Sequence, residues 1–192
     1  MFLSISSASA QKTGPYFSLN GGAALTNDSA LSESGITGSV GFETGVALSG
    51  AVGYRFEDGF RLEGELGYAQ NDIESLSVTV GQFTASTTAV SGEVKILSGM
   101  INGIFDFPVE GKLQPYLLAG IGMTQADVEI AGATADDTAI GGQVGFGINY
   151  AISEDVSVGA SYRYFATQDY DFSGTEVDYS SHHLLFGLTF KM

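Results

Sequence analysis

The feature that most limits the fold is an alternation of period two that recurs about eight times along the chain. Its clearest run is Phe60-Arg61-Leu62-Glu63-Gly64-Glu65-Leu66-Gly67-Tyr68. Phe60, Leu62, Leu66 and Tyr68 fall on one parity, and Arg61, Glu63 and Glu65 on the other. Neighbours on a helix face lie three and four apart, so only an extended strand sorts residues this way. The same sorting sets Phe17, Leu19, Gly21 and Ala23 against Ser18, Asn20 and Gly22. It sets Leu48, Val52, Tyr54 and Phe56 against Ser49 and Arg55, and Leu117, Ile121 and Met123 against Tyr116, Gly120, Gly122 and Thr124. It returns in Val144–Tyr150, in Val158–Tyr164, and in Leu184, Phe186, Leu188 and Phe190 against His183, Gly187 and Thr189.

One segment is less regular. Val94 and Ile96 share one parity, while Leu97, Ile101, Phe105 and Phe107 share the other. A bulge near Ile96 would reconcile them, because one extra residue flips every later side chain.

The connections alternate in length. Residues 57–59, 108–111 and 153–155 are short turns, whereas 26–44, 71–89, 129–137 and 169–178 are longer and polar. Leu76, Val78 and Val80 alternate inside the second of these, so the third and fourth strands are expected to run on as a hairpin. Short turns at one end and long loops at the other suit a transmembrane barrel.

The two faces separate that barrel from a soluble one. A soluble eight-stranded barrel packs its apolar side chains inside. Here the bulky apolar parity opposes Gly, Ser, Asn and a few charges, which suit a narrow lumen, leaving the bulky face to lipid. Tyr54, Phe56, Phe60, Phe105, Phe107 and Tyr150 cluster beside the short turns, as an interfacial aromatic girdle would. Composition agrees: 27 Gly, 3 Pro and only 15% charged residues, with a mean hydropathy of +0.16. The expected fold is all-β, an eight-stranded antiparallel up-and-down transmembrane β-barrel over residues 11–192. Residues 1–10 read as a signal-peptide remnant, with the cleavage signal Ala8-Ser9-Ala10 before Gln11.

Several motifs recur in a characteristic order: Tyr54-Arg55-Phe56, Asp106-Phe107-Pro108, Pro115-Tyr116 followed by Ala119-Gly120-Ile121-Gly122, Tyr162-Arg163-Tyr164-Phe165, and the strand His183–Phe190. Together they resemble the outer-membrane β-barrel superfamily of porin-like barrels and opacity-like surface antigens, across nearly the whole mature chain. The resemblance implies bacterial outer-membrane location, with both termini periplasmic and the long loops extracellular. It also implies assembly by the barrel-assembly machinery, read from the C-terminal strand Leu184, Phe186, Leu188 and Phe190. Such barrels usually end in an aromatic residue, whereas this chain ends Phe190-Lys191-Met192, so either Phe190 serves or Met192 is tolerated.

Charge narrows the partners. The net charge of −15 argues against nucleic acid. More than half of the acidic residues lie in the four long connections, which hold none of the seven Lys and Arg. Such a rim reads first as a solvated, self-repelling face. It also admits cation bridging to lipopolysaccharide or a host or envelope protein. Membrane lipid is the expected surrounding, and a monomer the expected state.

Opposite charges in a low-dielectric lumen should pair. Arg61, Glu63, Glu65, Glu93, Lys95 and Arg163 are the expected lumenal network, either a static brace or, by the same resemblance, a switchable plug. No cofactor is expected, nor a metal site: there is no Cys, and Asp127, Glu129, Asp136 and Asp137 lack calcium-loop spacing. His182 should face outward and His183 inward. Ser181 and His182 therefore cannot meet in a triad, and no catalytic residues are expected. The expected role is structural, antigenic or adhesive. A narrow channel gated by the lumenal network is the alternative, and a lipid-modifying enzyme the second.

Overall fold

The computed structural model describes residues 13–26, 29–33, 36–42, 44–80, 83–87, 92–130, 133–168, 170–172, 175–177 and 179–192. The proposed cleavage signal within residues 1–10 lies outside them. In chain order the strands are β1 (Gly14–Thr26), β2 (Ser29–Glu33), β3 (Ile36–Phe42), β4 (Gly45–Arg55), β5 (Phe60–Val80), β6 (Phe83–Thr87) and β7 (Gly92–Asp106). Then follow β8 (Leu113–Ile130), β9 (Ala133–Ala151), β10 (Val156–Thr167), β11 (Tyr170–Phe172), β12 (Thr175–Val177) and β13 (Ser180–Lys191).

Eight of these close a barrel in the cyclic order β1-β4-β5-β7-β8-β9-β10-β13. Every pairing is antiparallel. The seam joins Phe17 to Phe190, whose rings stack at 4.7 Å. Closure gives each barrel strand two hydrogen-bonding neighbours, which is what a bilayer core demands of a β-structure.

The remaining strands build upward from the barrel at the end opposite the short turns. β3 pairs with the upper part of β5, with a register shift between Gly41 and Phe42, and β6 returns on the other side of β5 through Val80 and Phe83. The expected hairpin is this β5–β6 pair. β2 pairs with β3, and β12 with β2, so the first, second and fourth long connections join in one sheet. Connections read as long and polar are in large part a continuation of strand pairing.

The short turns are tight. Gly59 takes φ +83° and Gly111 φ +109°, backbone that a side chain rarely adopts. In the first turn Phe56 N–H donates to Phe60 O at 2.9 Å, and Phe60 N–H donates to Asp58 Oδ1 at 3.1 Å. In the last, Ser153 Oγ accepts from Val156 N–H at 3.0 Å.

Alternation sorts the staves as the pattern requires. Leu62, Leu66, Ile121, Val144, Phe146 and Phe186 are exposed on the outer face, Phe186 at 71%. Arg61, Glu63, Glu65, Asn102 and Arg163 are buried inside. The anticipated bulge near Ile96 is absent: β7 keeps unbroken register against both β5 and β8. Val94, Ile96, Met100 and Ile104 simply face inward, because the lumen has apolar layers as well as polar ones.

Candidate functional site

Two layers of charge fill the lower and middle lumen. Near the short turns, the end of β7 brings Asp106 between the end of β4 and the start of β5. Arg55 donates to Asp106 Oδ2 at 2.6 Å and Arg61 to Oδ1 at 2.9 Å. The Arg61 guanidinium also lies between the rings of Tyr16 and Tyr116, 5.6 and 5.0 Å from their centroids, so its faces meet π-density while its edge meets a carboxylate.

Above this layer β5 points Glu63 and Glu65 into the lumen. Tyr16 O–H donates to Glu63 Oε2 at 2.9 Å, and Asn102 Nδ2 to Oε1 at 3.3 Å. Arg163, from the far wall, donates to Glu65 Oε2 at 2.6 Å. Gln143 Nε2 reaches Glu65 Oε1 at 2.9 Å and Asn102 Oδ1 at 2.8 Å. Ser49 adds a 3.2 Å bond to Glu65. Among the described residues the buried ions are Arg55, Arg61 and Arg163 against Glu63, Glu65 and Asp106, three of each sign. Pairing and neutrality together make such burial tolerable.

The tyrosines fit only because glycine stands opposite. A Cβ on Gly147 would come 2.5 Å from the Tyr116 ring and 2.8 Å from Ala160 O, and one on Gly53 would come 2.6 Å from the Tyr16 ring. Gly147→Ala is expected to cost about 1–3 kcal/mol through overpacking. Urea unfolding in lipid vesicles, followed by heat-modifiable gel mobility, checks this; an unchanged midpoint would refute the fit.

The upper lumen is apolar. Ile96, Met100, Phe165, Tyr179 and Leu185 pack there with Val94 and alanines from four strands. Ser181, fully buried, meets His183 Nε2 at 2.9 Å, and Phe165 stacks on that imidazole at 5.8 Å. Small internal spaces of about 30 and 20 Å³ lie among the described residues, with Arg163 lining both.

The family model described as "Outer membrane protein beta-barrel domain" matches residues 1–190. The chain belongs to the outer-membrane β-barrel family. The Neisserial surface protein A structure is 22% identical, at a TM-score of 0.60, and the match covers 92% of this chain and 97% of that one. OprG of Pseudomonas aeruginosa is 16% identical over 95% and 99% of the two chains, at 0.55. The protease OmpT of Escherichia coli is 8% identical over 95% and 97%, at 0.59. These similarities establish a shared fold. No curated protein sequence matches the chain.

In this outer-membrane barrel the residues expected in the lumen do not all stay together. Arg61, Glu63, Glu65 and Arg163 lie inside. Glu93 and Lys95 do not: they share the parity of Leu97 and lie on the outer face, where they pair with each other. The correction follows from the regular register of β7, since with no bulge Val94 and Ile96 take the inward positions. Gln70 donates to Glu93 at 3.0 Å and accepts from Tyr68 O–H at 2.8 Å, which places Glu93 and Lys95 in a polar belt above the apolar band.

Sequence reasoning passed over Asp106, Asn102, Gln143, Tyr16 and Arg55 as network members. Their signal was parity: Asn102 and Asp106 are four apart, on the face opposite Ile101 and Phe105. The six aromatic residues of the expected girdle are all exposed beside the short turns. Tyr54 packs on Phe56 at 5.1 Å, Phe56 on Phe60 at 6.1 Å, and Phe105 on Phe107 at 5.6 Å. On β13, Leu184, Phe186 and Leu188 face outward, and Phe190 is half-buried against Phe17.

Proposed function

We propose that this outer-membrane barrel is a non-conducting structural and surface-display protein. Its short turns and both chain termini face the periplasm, and the sheet built by β2, β3, β6, β11, β12 and upper β5 stands outside the cell. The observation that carries this reading is the stoppered lumen. A charge-balanced ion cluster, bridged at Asp106 and Glu65 and hydrogen-bonded at Glu63, fills its lower half and a packed apolar cluster its upper half. Conduction needs a continuous wet path, and spaces of about 30 and 20 Å³ are each room for a water or two.

The joined sheet supports display, since it makes a braced platform from three separate connections. Its acidic surroundings suit a partner that tolerates negative charge. The barrel works as a monomer after delivery by the assembly machinery. Catalysis has little support. The Ser181–His183 contact is sealed inside, with Ser181 at 0% exposure, so no substrate carbonyl can approach it. Single-channel recording in planar bilayers tests the reading: the purified barrel should give no stable open level. A reproducible conducting state would transfer support to the gated channel.

A further inference from the structure

The sheet above the barrel has a bare margin. Upper β5 is flanked by β3 on one side and β6 on the other. Among the described residues β6 pairs with β5 alone. β7 and β8 stop lower, since Glu93 stands opposite Asp72 and Gly92 opposite Ile130. The far side of β6 therefore carries backbone N–H and C=O groups with no strand beside them among the described residues. Such an edge is a template for another strand unless charge, proline or a bulge protects it. β6 reads Phe83-Thr84-Ala85-Ser86-Thr87, and the whole stretch 75–92 has no charged residue and no Pro. Its register against β5 is unbroken. At the opposite margin β11 carries Asp171, which stands against Glu176 of β12. Two copies of a chain with a net charge of −15 repel each other, and β6 is the margin where they meet without facing carboxylates.

Symmetry fixes how a second copy can sit there. Two β6 strands pair antiparallel about a two-fold axis perpendicular to the sheet. Directly opposite residues share a face, so the axis must fall on a residue. Centring it on Ala85 pairs the whole strand: Phe83 with Thr87, Thr84 with Ser86, and Ala85 with its own copy. Rows already present across the sheet then run on. Thr84 continues Ser32-Thr37-Thr79, and Ser86 continues Ser39-Ser77. Ser and Thr directly opposite each other are a favourable cross-strand pair. Two barrels in one membrane both hold the long-loop end up. A two-fold along the membrane normal keeps the vertical sense of every strand, so both β6 strands would descend and could not pair antiparallel. An antiparallel partner has to be inverted, with its barrel in a membrane that faces the first.

We infer that β6 is a homotypic adhesion strand, joining this barrel to a second copy on an apposed cell by antiparallel strand addition. One such contact is short and weak, and its strength between cells comes from number. Ala85 pairs with Val78, six residues beyond Asp72 (78 − 72) and so about 20 Å along the strand from the rim. The two rims then lie at most about 40 Å apart, which restricts the contact to surfaces without long polysaccharide. The inference rests on the outward placement of this sheet in the proposed function.

The chain has no Cys, so the axis residue can report on the contact. Full-length Ala85→Cys barrels with two tags of different size are expressed in separate cultures of a strain with truncated polysaccharide, then mixed and oxidised. Facing residues of an antiparallel pair lie within disulfide reach, so a linked band carrying both tags should form. Ala30→Cys, on β2 inside the sheet, should give none. Settling assays add a charge test. Cells with Ala85→Lys and cells with Ala85→Glu should each stay dispersed, because like charges meet at the axis. Their mixture should settle as wild-type cells do. Settling of either variant alone, or dispersion of the mixture, overturns the inference. A two-tag band formed only when both tags share one cell overturns it too, since the pairing is then within one membrane. Heat-modifiable mobility checks that each variant is folded. A membrane-impermeant maleimide on unmixed Ala85→Cys cells separates the two readings: no labelling removes the outward placement and the adhesion strand together, while labelling without a two-tag band removes the adhesion strand alone.

Discussion

Asp106→Asn is expected to lower the unfolding free energy of the barrel by about 3–5 kcal/mol. The substitution keeps size and shape, so no cavity forms. It removes the one carboxylate that Arg55 and Arg61 share, at 2.6 and 2.9 Å, in a layer where both guanidiniums are buried. Two cations would then remain close together, with only the ring faces of Tyr16 and Tyr116 and the more distant Glu63 to offset them. The chain has no Trp, so urea unfolding in vesicles is best followed by the gel-mobility shift. Wild-type stability in Asp106→Asn would mean that the lower layer is wet and its ion pairs weak.

A second large effect is expected at the middle layer, and its ranking is the sharper test. Arg163→Met leaves Glu63 and Glu65, two residues apart on one face, without the cation that bridges from the opposite wall. Glu65→Gln leaves Arg163 with Glu63 still nearby and relieves the repulsion between the two carboxylates. Both single changes should destabilise, Arg163→Met by about 3–5 kcal/mol and Glu65→Gln by less. The double change keeps the lumen neutral and should recover most of the loss, since much of each single cost comes from leaving one buried ion uncompensated. Strict additivity of the two single effects in a double-mutant cycle would show that they do not act as a pair.

The fold was legible because two periods agreed. Alternation assigned the staves, and the length of the connections assigned the ends. Phe60–Tyr68 needed no structure to be sorted, since each bulky residue alternated with a charge or a glycine. Reading failed on β7 for a definite reason. The rule that bulky apolar residues face lipid holds only where the lumen is polar, and beside Ile96 and Met100 it is not. A bulge was invoked to rescue the rule, and Glu93 and Lys95 were drawn inside with it. Asp106 was missed because it stood between girdle residues Phe105 and Phe107, just before a turn that began at Pro108. Its partner Arg55 stood fifty-one residues away (106 − 55), on a strand that does not pair with β7; both flank β5, and only the curl of the sheet brings the two side chains together. Joining of β2 to β12 was likewise illegible, as it links segments from opposite ends of the chain by backbone pairing, which leaves no compositional trace.

The seam from Tyr16 with Lys191 to Thr26 with Ser181 has a temporal consequence. The first stave made is bonded to the last. Until the carboxyl-terminal stave arrives, the growing sheet has two raw margins of unclaimed amides, and hydrocarbon punishes each of them. No half-built intermediate can wait in the bilayer, so zipping the margins together is the committing event of biogenesis. Whatever shelters the chain before then must cover both margins at once and let go of them together.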